Sequence, residues 1–204
     1  MNKYFVTGIG TDIGKTFISA ILVEALQADY WKPIQAGELE NSDTHKVQNL
    51  ISNSVSKFHE ENYKLTTPAS PHYSAEIDQI EIDINKIVLP ETPNNLIIEG
   101  AGGLMVPINS TQFVIDIIKK LDVEVILVSK NYLGSINHTI LTYEVLKQHH
   151  IKIKGIIFNG TPNKASEDFI LNYTKLDLIG NVLQESEITK EVVLKYAEIF
   201  KTKF

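Results

Sequence analysis

A glycine-rich segment constrains the fold of this chain more than any other feature of its sequence. Residues 8–16 read G-I-G-T-D-I-G-K-T, between the apolar run 4–7 and a helical pattern that begins at Lys15. The glycines allow backbone N–H groups to face an anion, and the start of a helix adds partial positive charge. Strand, glycine loop and helix in this order are typical of a phosphate-binding P-loop. We therefore expect a nucleotide site, with Lys15 as a cation for phosphate and Thr16 as a hydroxyl ligand for Mg²⁺.

The spacing of this segment departs from the strict P-loop pattern. That pattern places a glycine at position 9, where this chain has Ile9, and its first glycine is Gly8 instead. A glycine-rich turn that carries a surface lysine is the alternative interpretation. The strand and the helix that flank the segment favour the nucleotide site.

Short apolar runs alternate with longer amphipathic stretches along the chain. Because the runs are almost entirely apolar, they suit strands that are covered by helices on both faces, as in a parallel sheet. The sequence predicts an α/β fold of the P-loop NTPase type, an open, doubly wound, mostly parallel sheet in one ATP-binding domain over residues 1–204. The region 53–93 is less regular and is interpreted as a functional excursion. The predicted strands are 4–7, 30–34, 96–99, 125–128, 153–158 and 178–182, and the predicted helices are 15–28, 113–121, 136–150, 166–173 and 189–201.

Composition and charge exclude several classes of function. With 25 acidic and 19 basic residues the net charge is -6, which argues against a general nucleic-acid surface. The chain has no cysteine, and its six histidines lack metal-ligand spacing, so any metal is expected to be Mg²⁺ bound by oxygen atoms. The first residues do not resemble a signal peptide, and no apolar run is long enough for a membrane span. We therefore expect a cytoplasmic protein.

Three further charged residues are candidates for the same site. Glu99 closes an apolar run and precedes G-A-G-G, a loop that allows close approach of the backbone to phosphate. This position favours a metal or phosphate role for Glu99. Asp43 is either a second metal ligand or a helix N-cap, and its position alone does not decide. Lys32 either steadies a transferring γ-phosphoryl group or is a solvated lysine at a strand end.

Several short motifs follow one another in a fixed order along the chain. They are Y-F-V-T-G-I-G-T-D-I-G-K-T at 4–16, K-P-I-Q-A-G at 32–37, S-D at 42–43, S-P-H at 70–72, E-G-A-G-G at 99–103 with Pro107 beyond, L-G-S-I-N-H-T at 133–139, and Asn159. In this order they resemble the dethiobiotin synthetase family, whose members are P-loop enzymes of biotin biosynthesis. The resemblance covers most of the chain. P-loops are common, but this ordered combination is not.

The resemblance implies an activity and a set of site residues. The activity is MgATP-driven closure of a ureido ring on 7,8-diaminononanoate with CO₂, through a carbamate and a carbamic-phosphoric anhydride, to give dethiobiotin, ADP and phosphate. Lys15 and Lys32 would be the catalytic cations on the carbamate and the γ-phosphate. Thr16, Asp43 and Glu99 would be the Mg²⁺ ligands. The implied nucleotide-binding residues are Gly10, Thr11, Asp12, Ile13, Gly14, Lys15, Thr16, Phe17, Asp43, Glu99, Gly100, Ala101, Gly102, Asn159, which would read adenine, and Leu183.

The resemblance also implies a homodimer with the substrate site at the subunit interface. Family members hold the substrate carboxylate near a helix N-terminus of the partner, and here that helix starts around Gly134 to Asn137. Lys32, Ala36, Gly134 and Asn137 would bind the substrate. Many members carry Ser or Thr at the position of Ala36, and proline at the position of Leu183 in the adenine pocket wall.

Two other classes of P-loop protein are alternatives. Partitioning and scaffold ATPases act as nucleotide-driven dimer switches, but they carry a lysine five residues before the P-loop lysine, where this chain has Gly10. Amidating P-loop synthases usually need a glutaminase domain, for which 204 residues leave no room. A purely structural domain would not need Lys15, Thr16 and Glu99 on one rim. The dethiobiotin synthetase interpretation is therefore favoured.

Overall fold

Nine strands and seven α-helices alternate along the chain in a computed structural model that describes residues 1–204. The strands are β1 (Lys3–Gly8), β2 (Asp29–Trp31), β3 (Ile34–Ala36), β4 (Phe58–His59), β5 (Tyr63–Leu65), β6 (Leu96–Gly103), β7 (Glu124–Lys130), β8 (Ile153–Asn159) and β9 (Leu178–Val182). The helices are α1 (Lys15–Leu26), α2 (Asp43–Leu50), α3 (Pro71–Ile77), α4 (Val114–Leu121), α5 (Ser135–Gln148), α6 (Lys164–Thr174) and α7 (Lys190–Phe200).

Seven of the strands form one sheet in the order β4-β2-β6-β1-β7-β8-β9, and every neighbouring pair is parallel. β3 and β5 form a separate parallel pair. From β1 the main sheet extends through β6 and β2 on one side and through β7, β8 and β9 on the other. Ligands of open α/β sheets bind beyond the carboxyl ends of the strands at such a switch point. The predicted open, doubly wound α/β sheet is confirmed.

The main sheet is buried on both faces, which is why its strands are almost entirely apolar. In β1, Tyr4 and Val6 belong to the hydrophobic cluster that includes α1 and α7. Phe5 belongs to the cluster on the opposite face, which includes α4. This division follows from the alternation of side chains along a strand. The two clusters therefore pack against opposite faces of the sheet, beneath the loops at its carboxyl edge.

The structure divides the predicted strand 30–34 between two sheets. β2 ends at Trp31 and pairs with β6, whereas β3 begins at Ile34 and pairs with β5. Pro33 has no N–H group for a sheet ladder, and its ring restricts the backbone of the residue before it. Lys32 therefore stands where the chain leaves the main sheet.

The region 53–93 contains more regular structure than its sequence predicts. β4 is an edge strand of the main sheet, and α3 contacts both β3 and β5. The five predicted helices are all present, with ends that differ from the prediction by at most two residues. None of the helices is both long enough and apolar enough to pass through a bilayer.

Candidate active site

A cleft of about 800 Å³ opens at the carboxyl ends of β1, β2 and β6. Three of the residues predicted to bind the nucleotide lie just outside this cleft. Ile13 is buried beneath the loop after β1, Gly10 lines a neighbouring cavity, and Gly100 lies against the ring of Phe5. The other predicted residues of this region line the cleft itself. They are Thr11, Asp12, Gly14, Lys15, Thr16, Phe17, Lys32, Ala36, Asp43, Glu99, Ala101 and Gly102.

Two glycines give the loop after β1 its shape. Gly14 has φ +91°, and a Cβ atom there would lie 2.2 Å from Nδ2 of Asn159. A Cβ atom on Gly8 would lie 2.2 Å from Cδ1 of Ile13. Glycine at position 8 therefore leaves room for Ile13 beneath the loop. This packing is a physical reason for the shifted first glycine of the P-loop pattern.

The Lys15 side chain folds back over the loop. Its Nζ atom donates a hydrogen bond to the Gly10 carbonyl oxygen at 2.8 Å, and the residue is only 7% exposed. Burial, with a smaller contribution from the nearby Lys32 ammonium, lowers the pKa of Lys15 to about 8 against the attraction of Glu99 and Asp43. A bound polyphosphate favours the charged form of this lysine. Binding of a polyphosphate at this predicted position would therefore be linked to protonation of Lys15.

A buried polar group joins three elements around Glu99. The Nζ atom of Lys32 lies 2.6 Å from Oδ2 of Asp43 and 3.1 Å from Oε1 of Glu99. The Thr16 hydroxyl donates to the same Oε1 atom at 2.9 Å. The Tyr30 hydroxyl donates to Oε2 of Glu99, also at 2.9 Å. The structure thus brings the three predicted metal ligands and the predicted catalytic lysine into one group.

Lys32 and Asp43 hold each other in the ionised state. Burial acts to lower the pKa of Lys32, but the carboxylates of Glu99 and Asp43 outweigh it and raise the pKa above its usual value. Burial acts to raise the pKa of Asp43, but Lys32 and then Lys46 hold it below its usual value. Burial and the Glu99 charge raise the pKa of Tyr30 well above the usual range. Tyr30 is therefore a neutral donor.

Asp43 is not the N-cap of α2. Ser42 is the N-cap, since its hydroxyl accepts a hydrogen bond from the backbone N–H of His45. The His45 ring in turn accepts from the backbone N–H of Ser42 at 3.3 Å, which completes a capping box. Asp43 is the first helical residue, and its side chain reaches Lys32. The N-cap alternative is wrong, whereas the metal-ligand alternative stays a prediction.

The side chains around Lys32 suit a hard divalent cation. Thr16 supplies a hydroxyl oxygen, and Asp43 and Glu99 supply carboxylate oxygens, the donor types that Mg²⁺ prefers. The Lys32 ammonium already lies between the two carboxylates, so this position favours a positive charge. The residues present therefore fit Mg²⁺.

A second cavity of about 300 Å³ continues the cleft beyond the loop. Asp12, Gly14 and Phe17 line both spaces, and Asn159 and Leu183 line the second. The Asn159 amide donates to the Ile13 carbonyl at 2.7 Å, which ties the end of β8 to the loop. The backbone N–H of Leu183 donates to the Tyr196 hydroxyl at 3.0 Å. Asn159 and Leu183, the remaining residues predicted to bind the nucleotide, thus line this second cavity.

Gly134 and Asn137 lie apart from the cleft. Gly134 has φ +103° and precedes α5, and both residues are exposed to solvent. Another cavity, of about 340 Å³, lies between the loop after β1 and α5, and Met105 and Leu141 line it. Within one chain, the two residues therefore do not join the predicted substrate residues Lys32 and Ala36.

Sequence reasoning missed three residues that shape the site. Tyr30 supports Glu99 from β2, and its place two residues before Lys32 could have indicated a shared direction along the strand. Gln35 accepts from the backbone N–H of Asp43 at 3.2 Å. Lys46 is bonded to Glu38 and lies 3.5 Å from Oδ1 of Asp43. The spacing of Asp43 and Lys46, three residues apart on a helix, could have predicted the contact made by Lys46.

Comparison with known proteins identifies the family of this chain. Residues 2–192 match the family described as an AAA domain. An ATP-dependent dethiobiotin synthetase from Christiangramia forsetii is 53% identical over 199 residues, which are 98% of this chain and 96% of that protein. The chain belongs to the dethiobiotin synthetase family. Relatives of the same name from Cytophaga hutchinsonii and Chlamydia pneumoniae are 52% and 44% identical, over 97% and 98% of the chain and 96% and 90% of their own lengths. The resemblance inferred from the motifs is confirmed.

Solved structures show how widely the fold of this dethiobiotin synthetase family member is shared. The septum site-determining protein MinD from Pyrococcus horikoshii, complexed with Mg-ADP, matches with a TM-score of 0.62 and 14% identity over 99% of this chain and 93% of that one. A ParA family ATPase from Chlorobium tepidum matches with a TM-score of 0.58 and 13% identity over 98% and 92% of the two chains. At such identities the likeness concerns the fold alone. It does not favour the dimer-switch alternative.

Proposed function

We propose that this chain is an ATP-dependent dethiobiotin synthetase, a cyclo-ligase that forms carbon–nitrogen bonds in biotin biosynthesis. Its substrates are 7,8-diaminononanoate, CO₂ and ATP, and its products are dethiobiotin, ADP and phosphate. The observation that carries the proposal is the buried group of Lys32, Asp43, Glu99 and Thr16 beside the P-loop, in a chain 53% identical to a protein of that name. We retain one domain over residues 1–204 and a cytoplasmic location, where ATP is supplied, as parts of the proposal.

The reaction requires anions to be brought together. One amine adds to CO₂ and loses a proton to become a carbamate. A carbamate oxygen attacks the γ-phosphorus of ATP, ADP leaves, and the second amine attacks the carbamoyl carbon of the anhydride. That step expels phosphate, releases a proton and closes the ureido ring. The protein therefore has to orient three reactants and offset crowded negative charge.

Lys15 and Lys32 are suited to offset that charge. Both lysines line the same cleft and are almost fully buried, with 7% and 4% exposed. In a site screened from water, an ammonium group attracts an anion more strongly than in bulk solvent. The raised pKa of Lys32, caused by Glu99 and Asp43 against burial, keeps it a cation throughout the neutral range. We assign Lys15 to the phosphates and Lys32 to the carbamate and γ-phosphoryl oxygens.

Thr16, Asp43 and Glu99 would hold Mg²⁺. The metal ion supplies charge neutralisation on the phosphate oxygens of ATP. Tyr30 orients the Glu99 carboxylate through the hydrogen bond that its hydroxyl donates to Oε2. Ser42 and Gln35 fix the start of α2, and with it the position of Asp43.

The base of ATP is assigned to the cavity beside Asn159 and Leu183. This cavity continues from the phosphate loop, and Asn159 offers an amide for hydrogen bonding with adenine. The loop residues Gly10 to Phe17 and the glycines after Glu99 are assigned to the phosphates. The glycine backbone after Glu99 allows close approach of an anion.

We further propose a homodimer in which Gly134 and Asn137 of one subunit complete the substrate site of the other. Both residues are exposed and lie outside the cleft of their own chain. The N-terminus of α5 favours an anion such as the substrate carboxylate. Leu133 is fully exposed directly before this helix, and Met105 and Leu141 are about half exposed nearby. An interface would cover these apolar side chains.

The test is an assay of ADP release by the purified protein. We expect release only when the diamine and bicarbonate are both present with MgATP. Substitution Lys32→Ala is expected to abolish it. ATP turnover that does not depend on the diamine would contradict the proposal and would support the dimer-switch alternative. Replacing ATP with CTP or GTP in the same assay measures the base preference.

A further inference from the structure

Glu167 is a buried carboxylate that the proposed reaction does not use. It lies on α6 with 9% of its surface exposed, close behind the cavity assigned to the base. All of the donors that contact its carboxylate are neutral amide groups. A buried carboxylate without a cationic partner costs folding free energy relative to an apolar side chain. Its place in the first turn of α6 and its bond to the N–H of the N-cap residue Asn163 offset part of this cost, but its contacts with Asn131 and Asn181 lie outside that role.

The two oxygens of Glu167 contact three separate segments of the chain. Oε1 accepts from Nδ2 of Asn131 at 2.6 Å and from the backbone N–H of Asn163 at 2.9 Å. Oε2 accepts from Nδ2 of Asn181 at 2.9 Å. Asn131 follows β7, Asn163 ends the loop after β8, and Asn181 belongs to β9. One side chain thus joins the carboxyl ends of three neighbouring strands.

The segments that Glu167 joins form the wall of the base cavity. Asn131 itself lines the cavity and donates a second hydrogen bond to the Thr161 carbonyl at 3.1 Å. The backbone N–H of Gly160 donates to the Val182 carbonyl at 2.8 Å, next to Asn181. Further lining residues come from the same segments: Asn159, Gly160, Thr161, Leu183 and Gln184.

The amide of Asn131 shows that the Glu167 contact sets its orientation. Nδ2 makes two hydrogen bonds, whereas Oδ1 is buried and has no partner. Turning the amide over would place Oδ1 against the Glu167 carboxylate and the Thr161 carbonyl, where only acceptors are present. The bonds to Glu167 and Thr161 therefore fix which way the Asn131 amide faces.

We propose that Glu167 is a positioning residue that holds the base cavity in its binding shape and so sets the affinity for the nucleobase without touching it. The inference rests on the proposed function only in assigning a nucleotide base to this cavity. Without the carboxylate, these segments lose their common partner and keep only their direct contacts, such as those of Asn131 with Thr161 and of Gly160 with Val182. The phosphate loop is held by contacts in which Glu167 takes no part, from Lys15 to Gly10 and from Asn159 to Ile13. The affinity for the base should therefore fall while the affinity for phosphates stays.

The experiment compares Mg-ATP with magnesium tripolyphosphate, a ligand that has the phosphates but no base. Dissociation constants are measured by calorimetry for the wild type, Glu167→Ala and Glu167→Gln. We expect Glu167→Ala to weaken ATP binding by about tenfold, since several hydrogen bonds are lost. Tripolyphosphate binding should stay within about twofold, as for an independent site. Glu167→Gln should lie between, because its remaining oxygen can still accept from Asn131 and Asn163.

Ile170→Ala is the matched control. Ile170 is fully buried on the same helix and packs with Leu127, Ile156 and Phe158, so its truncation destabilises α6 without touching the three amides. Its ratio of ATP to tripolyphosphate affinity should equal that of the wild type.

An unchanged affinity ratio in both Glu167 variants would overturn the inference. If Glu167→Ala does not fold, the affinity ratio of Glu167→Gln decides the question. If the wild type bound ATP no more tightly than tripolyphosphate, the base cavity and the inference would both be wrong. A protein that binds as expected but releases no ADP with the diamine would contradict only the proposed function.

Discussion

The Nζ atom of Lys32 lies 2.6 Å from Oδ2 of Asp43, and the two side chains are 5% and 19% exposed. With Glu99 on its other side, the lysine compensates two carboxylates at once. Replacing Lys32 with methionine keeps the length of the side chain but removes the nearest counter-charge of both acids, and leaves Asp43 with Lys46 at 3.5 Å. We expect the free energy of unfolding to fall by about 3 kcal/mol in the absence of divalent metal. Chemical denaturation measures this loss.

Mg²⁺ should restore much of the stability of Lys32→Met, because the proposed metal site is formed by the same acids and exists in the folded state only. The control is Lys164→Met, whose ion pair with Asp168 is exposed and should contribute less than about 1 kcal/mol. Equal losses in the two variants, or no rescue by Mg²⁺, would contradict the assigned cation site.

The pH dependence of nucleotide binding should follow Lys15. Its pKa is lowered to about 8, mainly by burial. Polyphosphate binds the charged form, so above this pKa each binding event takes up a proton and the affinity falls as pH rises. From about pH 7 to about pH 9 the dissociation constant for Mg-ADP should increase by about tenfold. Calorimetry in buffers of different ionisation enthalpy also reports the proton taken up.

Lys15→Arg is the control for this pH profile. A guanidinium group stays charged over the whole range, so its affinity for Mg-ADP, although weaker, should not change between the two pH values. The same slope in both proteins would show that another group titrates.

Tyr30→Phe should reduce activity through Glu99. The variant removes a buried donor from Oε2 of Glu99, which costs about 1–3 kcal/mol and lets the carboxylate rotate. We expect a higher Mg²⁺ concentration at half-maximal ADP release and a lower maximal rate. Tyr63→Phe also removes a hydroxyl, one that bonds the backbone of Asp83 away from the cleft. It should lose stability but keep the Mg²⁺ requirement of the wild type.

Gly14→Ala should disrupt the phosphate loop. The residue has φ +91°, and the new methyl group would collide with the Asn159 amide at 2.2 Å. Strain of this kind costs about 1–3 kcal/mol, and ATP binding should be lost with it. Gly10→Ala is the comparison, because nothing lies within 4 Å of a Cβ atom there. Its free energy of unfolding should match the wild type, and an equal effect of both substitutions would contradict the loop geometry.

The shared substrate site can be tested by mixing two inactive proteins. Lys32→Ala impairs the cleft, and Asn137→Asp places a negative charge where the substrate carboxylate of the partner is assigned. After subunit exchange, a mixed dimer carries both changes in one site and none in the other. Statistical mixing should recover about a quarter of the wild-type ADP release. Activity that stays at the level of the separate variants would contradict the proposed homodimeric site.

The sequence predicts the central sheet well because its strands are buried on both faces. β1, β6, β7 and β8 each contain an unbroken run of at least three apolar residues, and the loop after β1 carries its own glycine pattern. The sequence does not predict the order of the strands in the sheet. Lys32 reaches Glu99 because β2 lies beside β6, and this neighbour relation depends on packing of the whole sheet.

The short elements of the cleft are those that the sequence does not reveal. β3 and β5 have three residues each, too few for a periodic pattern. The start of α2 was ambiguous because Ser42 and Asp43 are both good N-cap residues, and only the hydrogen bond to His45 separates them. Glu167 gives no signal at all, since its partners come from three distant segments.

The separation of β3 and β5 from the main sheet has a consequence for redesign. Ala36 and residues 68–71 form one wall of the cleft, and this wall rests on a two-stranded unit with its own backbone pairing. Lys32 and Pro33 are the junction between that unit and the sheet that carries the phosphate loop. Because the proposed substrate residue Ala36 belongs to this wall, we expect libraries confined to it to alter which diamine the enzyme accepts while the ATP-driven half of the reaction stays intact.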